Sequence, residues 1–193
     1  MQTTSNPKRE QIIATGKELF WKFGFKRVTI EEIARESRVS KMTFYKYFPN
    51  KTKLAIVVMD KVFETSMEKV RNLHDVNESP AETLKRILQL KAEGTRDISE
   101  EFIKDLYSHP EGELKAYMEK KMQSMFSEII HVYEKGKEDG WVRKDLNIPF
   151  LLLFTQKILD WFKEDEMLHY FDSSQDLVME ITNLIVYGIS PHE

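Results

Sequence analysis

Apolar residues return every three or four positions along almost the whole 193-residue chain, and no run alternates with the two-residue period of a half-buried strand. The pattern predicts an all-α fold. A first helix is expected from about Lys8 to Phe23, with Ile12, Leu19, Phe20 and Phe23 on one face and Gly24 as its stop. A short second helix follows, opened by Thr29 and Glu32 as a capping box, with Ile30, Ile33 and Ala34 turned inward. Only Arg38 to Ser40 separate it from a third helix, roughly 41–48, which Ser40 can cap and Pro49 ends. Asn50 caps a long fourth helix to about Leu73. Beyond NESP at 77–80, the breakers Gly94, HPEG at 109–112, Gly140 and Pro149, and the cap DSS at 172–174, divide the chain into helices near 80–93, 97–108, 112–138, 147–164 and 173–188.

Two short helices joined by a three-residue turn, with small Ala34 at the crossing and Val39 plugging the turn, form a helix-turn-helix pattern. If Phe44 and Phe48 face inward, one turn apart, then Met42, Thr43, Tyr45, Lys46 and Tyr47 swing outward, with Lys41 at the N-terminal edge. That face suits the major groove. Lys and Thr donate to base edges, Tyr hydroxyls reach phosphates, and the Met42 side chain can pack on a thymine methyl. Thr29 and Lys51 stand at the N-termini of flanking helices, where free amides and the positive dipole end favour a phosphate.

Charge supports this assignment. Residues 1–53 hold twelve Lys and Arg against five Asp and Glu, a balance of +7, which leaves -10 for the rest of a chain whose net charge is -3. A basic segment on an acidic body points to a polyanionic partner at one end, since Lys and Arg displace the counterions of nucleic-acid phosphates. The absence of cysteine excludes disulfides, thiolate zinc sites and a cysteine nucleophile. Neither an apolar leader nor a run of roughly 20 apolar residues occurs, so no membrane role is expected and the expected location is cytoplasmic. Enzyme readings lack their motifs: the five His are scattered and no HExxH or phosphate-binding Gly loop occurs. Glu164, Asp165, Glu166 and His169 read as a solvated helix end, not a metal site, because successive helical positions point in different directions. No cofactor is expected.

The stretch KELFWKFGFKRVTIEEIARESRVSKMTFYKYFPNKTKL, about 45 residues with its flanks, resembles the DNA-binding domain of TetR-type bacterial transcriptional regulators. The matching features are aromatic-Gly-aromatic after helix one, Thr before an acidic IxxIA segment, VSxxTxY, and YFPNK leading into helix four. The resemblance implies DNA-contacting roles for Thr29, Ser40, Lys41, Met42, Thr43, Tyr45, Tyr47 and Lys51. Two residues depart from it. Arg38 stands where many relatives have Gly, which forces a non-Gly residue toward a left-handed conformation at about 1 kcal/mol. Met42 replaces a commonly small residue, so the base preference does not transfer.

The expected organisation is therefore a three-helix DNA-binding domain over 1–50 and a helical ligand-binding and dimerisation domain over 51–193. In the latter, helix 112–138 carries Leu114, Met118, Met122, Met125, Ile129 and Val132 on one side, and helix 147–164 is apolar on more than one side. With the last helix, through residues such as Leu184 and Ile185, it is suited to pair with a second subunit as a four-helix bundle, the arrangement the resemblance also implies. Phe102, Tyr107, Met118, Met122, Met125, Phe126, Phe154 and Trp161 are the candidate lining of a cavity for a small apolar or aromatic molecule, with Gln123, Gln156 and Asp160 as polar contacts. For any single one of the apolar residues, ordinary core packing is the slightly better explanation. The function expected is a homodimeric repressor on a near-palindromic double-stranded operator, released by a ligand through helix four. The alternative is a DNA-binding architectural or protein-interaction factor without an inducer.

Overall fold

In the computed structural model, residues 6–73, 79–107, 112–161 and 168–191 are described, without the side chains of 107, 159–161 and 168. Among them lie nine α-helices and no strand, as the apolar periodicity predicts: α1 Pro7–Phe23, α2 Ile30–Glu36, α3 Lys41–Tyr47, α4 Lys51–Arg71, α5 Pro80–Gly94, α6 Glu100–Tyr107, α7 Gly112–Glu138, α8 Ile148–Trp161 and α9 Ser174–Ile189. A single 3₁₀ turn, Leu168–Tyr170, was not anticipated.

Local chemistry sets most of the boundaries. Asn6, Ser40, Asn50 and Ser173 each accept a first-turn backbone N–H, and Thr29–Glu32 and Ser79–Glu82 form full capping boxes. Helix α6 begins three residues later than expected. Asp97 takes φ +59°, and Ser99 N–H donates to Trp21 O at 3.0 Å before the helix can start. The end of the expected 147–164 helix, with Glu164, Asp165 and Glu166, lies outside the described residues.

The main core runs across the boundary expected after residue 50. Ile12 and Phe20 of α1, Ile33 of α2 and Phe44 of α3 share one buried cluster with Leu54, Ala55, Val58 and Met59 of α4 and with Phe102, Leu114 and Met118. The first half of α4 thus completes the N-terminal unit, because three short helices alone leave too little apolar surface covered. Gly16 permits the close crossing of α1 over α4: a Cβ there would stand 2.9 Å from a Leu54 methyl. Helix α4 packs on both α1 and α7, and α6 packs directly on α1. A second cluster around Trp141, Val142, Ile148 and Ile189 joins α7, α8 and α9.

Candidate nucleic-acid interface

The turn between α2 and α3 is built by the residue that departs from the family pattern. Arg38 adopts φ +54°, its N–H donates to Arg35 O at 3.0 Å, and Val39 N–H donates to Ala34 O at 2.9 Å. These two bonds form a Schellman end to α2, normally given to Gly at the left-handed position. Ser37, fully buried, donates its hydroxyl to Ile33 O at 2.6 Å and closes the helix end. Phe44 and Phe48 are buried beneath α3, so the register expected for the recognition helix holds.

On the outer face, Met42 is 84% exposed and Tyr45 46% exposed, with Lys46 in solvent beside them. The polar side chains of the first turn are already partnered. Ser40 Oγ accepts Thr43 N–H at 3.0 Å and lies 2.9 Å from Thr43 Oγ1, while Lys41 Nζ is ion-paired with Glu31 of α2. The pair holds the Glu31 carboxyl below its ordinary range and raises the Lys41 ammonium. Thr29 is exposed and donates its hydroxyl to Glu32 at 3.0 Å within the capping box. Tyr47 is half-buried against the main core, so it presents less of itself outward than periodicity suggested.

Lys51 departs most from expectation. Its Nζ donates to the carbonyls of Phe25, Lys26 and Val28 at 2.7, 3.1 and 2.7 Å and sits 4.6 Å from the centre of the Phe25 ring. All three ammonium protons are engaged, and burial pushes its pKa down against the opposing pull of Asp105 and Glu32. The side chain therefore holds the α1–α2 loop, where a free phosphate contact was expected. No helical periodicity could have revealed this, because the partners are main-chain atoms over 20 residues away.

The same loop is also held by α6. Asp105 of α6 accepts Lys26 N–H at 2.8 Å and approaches Lys26 Nζ at 3.6 Å. Trp21 and Phe102 pack as a tilted ring pair at 4.3 Å between centres, tying α1 to α6. Helix α6 thus reaches the α1–α2 loop independently of α4.

The candidate cavity residues separate into groups. Phe102 and Met118 are buried in the main core and line a small cavity of about 20 Å³ with Phe20, Phe25, Met59 and Leu114. Met122, Met125 and Phe126 are half-buried further along α7. Phe154 is 44% exposed on α8, stacked with Phe150 at 6.3 Å, and is not among the residues lining that cavity. Gln123 and Gln156 face solvent. The side chains of Tyr107, Trp161 and Asp160 lie outside the described residues.

Residues 12–58 match the family model described as bacterial regulatory proteins, tetR family. The N-terminal helices of this chain are thus similar to the DNA-binding segment of tetR-family regulators. The matched segment reaches into α4, in agreement with the shared core. A 94-residue segment is 37% identical to the uncharacterized HTH-type transcriptional regulator YerO of Bacillus subtilis (strain 168), covering 48% of this chain and 32% of that protein. The match thus spans about a third of that relative's length. Across nearly the whole chain the fold is similar to that of the fatty acid degradation regulator FadR from Bacillus halodurans, at TM-score 0.68 and 19% identity, covering 96% of this chain and 98% of that one. FadR from Bacillus subtilis in complex with stearoyl-CoA superposes with TM-score 0.65 at 18% identity, covering 93% and 98%.

Proposed function

We propose that this chain is a sequence-specific transcriptional regulator, a homodimeric repressor that leaves a near-palindromic double-stranded operator when a small apolar molecule binds its helical body. The observation that carries the reading is the outer face of α3: Met42, Tyr45 and Lys46 stand exposed on a helix whose inner residues are locked by Phe44 and Phe48, within the segment of charge +7. Thr29, Ser40, Lys41, Thr43 and Tyr47 flank that face and complete the contact set. Lys51 contributes by fixing the α1–α2 loop and through the N-terminal amides of α4, not through its ammonium.

The ligand part rests on Phe102, Met118, Met122, Met125 and Phe126. The cavity beside Met118 is far below the roughly 300 to 1,000 Å³ of a small-molecule site, so a ligand entering there would displace Met59 and Met118. A neighbour of this fold binds stearoyl-CoA, which supports a long apolar ligand. The tight packing equally favours the second reading, a DNA-binding interaction factor without inducer. Enrichment of duplexes from a random pool, followed by anisotropy titration, tests the main reading: one motif with inverted symmetry is expected, and equal binding of all duplexes would overturn it. Stearoyl-CoA and free stearate, added to the protein–duplex complex, separate the two readings: release by either supports the sensor.

A further inference from the structure

Helix α3 contains KMTFYKY, with no Arg, Asn or Gln, the side chains that pair bidentately with guanine or adenine in the major groove. Its first-turn polar groups are committed elsewhere, Thr43 to Ser40 and Lys41 to Glu31. Lys46 sits in the last turn, whereas base edges are met mainly by the N-terminal part of a recognition helix. What stands free at that end is an unbranched thioether side chain. Among the described residues of α1 to α4, the large apolar side chains left exposed are Met42 and Tyr45, three positions apart and hence on one face.

Resting on the assignment of α3 as recognition helix, we propose that the operator is read chiefly through thymine C5-methyl groups, with Met42 as the specificity-determining residue and Tyr45 extending the apolar contact along the groove. Each A·T pair presents one such methyl in the major groove, and a G·C pair presents none. The charge of +7 in residues 1–53 supplies affinity for phosphates without regard to sequence. Discrimination then falls to the apolar contact. Met is suited to it, because its flexible, polarizable side chain can settle on a methyl without the fixed geometry a hydrogen-bonded pair demands.

The test uses the full chain and the duplex it selects from a random pool. Each thymine is replaced in turn by deoxyuridine, which removes the C5-methyl and keeps the pairing edge. Wild-type protein should lose about 4-fold in affinity at one or two positions per half-site, the factor expected for one methyl-sized group removed from a buried contact. Met42→Ala should bind thymine and uracil duplexes equally at those positions, and Met42→Leu should restore part of the difference. Since Met42 is 84% exposed, neither change should alter folding, which circular dichroism would check. Specific binding by wild type with no loss at any uracil, or an undiminished loss in Met42→Ala, would overturn methyl reading and leave the regulator assignment standing. Failure to enrich any motif would instead remove the assignment and the inference together.

Discussion

Lys51 illustrates how one side chain can exchange a surface role for an interior one. Its ammonium bonds three carbonyls of the α1–α2 loop, and bonds to a charged donor contribute about 1.5 to 3 kcal/mol each before desolvation is subtracted. Lys51→Ala should lower the unfolding free energy by about 2 kcal/mol in urea denaturation and leave the salt slope of DNA binding nearly unchanged; a slope reduced by about one would return Lys51 to the phosphate contacts. Glu31 works in the opposite sense. It holds Lys41 by an ion pair on the face proposed to meet DNA, so Glu31→Gln should tighten binding to every sequence and steepen the salt slope. The pair is also pH-dependent. Because the folded Glu31 pKa is lowered by its hydrogen bond from Lys41, the interaction is complete above the ordinary value of 4.5 and is lost as pH falls through the lowered one. Both partners are fully exposed, so the effect should appear in DNA affinity, not in melting temperature.

At the scale of elements, the α1–α2 loop is the meeting point of the two halves of the molecule. Lys51 of α4 holds its carbonyls, Asp105 of α6 holds its Lys26 amide, and Gly24 makes room with φ +79°. A Cβ at Gly24 would lie 2.7 Å from the Asp105 carboxylate and 3.1 Å from Glu101 Cβ. Gly24→Ala should therefore cost at least about 1 to 2 kcal/mol, from the left-handed backbone and the displaced carboxylate together. Asp105→Ala should preserve the helices and accelerate amide hydrogen exchange at Lys26; unchanged exchange would show that the latch does not order the loop. Helices α4 and α7 are joined by a ladder of ion pairs: Lys53 pairs with Glu113, Lys121 with Asp60 and Glu64, and Arg71 with Glu128. Tyr117 donates to Asp60 at 3.0 Å, and burial together with that bond pushes the phenol pKa up. A shift of α7 around a ligand would thus be passed to α4 along its whole length, while α6 acts separately on the loop.

For the whole molecule, the faces left over by packing decide the assembly. Helix α8 exposes Phe150, Leu153 and Phe154, and α9 exposes Leu184 and Tyr187, large apolar side chains of the kind that mark an interaction surface. We expect these faces to meet their copies in a dimer. Phe150→Asp with Leu184→Glu should yield a folded monomer by sedimentation velocity, with the preference for inverted half-sites lost. Ile185 behaves differently from its neighbour. It packs into the cluster around Trp141 and Ile189, so Ile185→Glu should reduce stability by about 2 to 4 kcal/mol instead of merely separating subunits. A wild-type protein that sediments as a monomer at micromolar concentration would remove the dimer from the proposal.

Sequence alone determined what depends on neighbours along the chain: helix period, the capping box at Thr29, the inward register of Phe44 and Phe48, and a basic N-terminal segment. These follow from local hydrogen bonding, backbone sterics and simple charge. The tertiary structure decided whatever depends on distant contacts. Periodicity marks Phe154 and Leu177 alike as apolar helical positions, yet only packing leaves the first on an outer face and buries the second completely. It likewise turns Ile185 inward beside exposed Leu184, extends the N-terminal core through Leu54 and Val58, and directs Lys51 into a loop where main-chain carbonyls compete for it. A side chain's type limits the partners it can take, but which partner comes within reach is settled only when helices far apart in sequence close on one another.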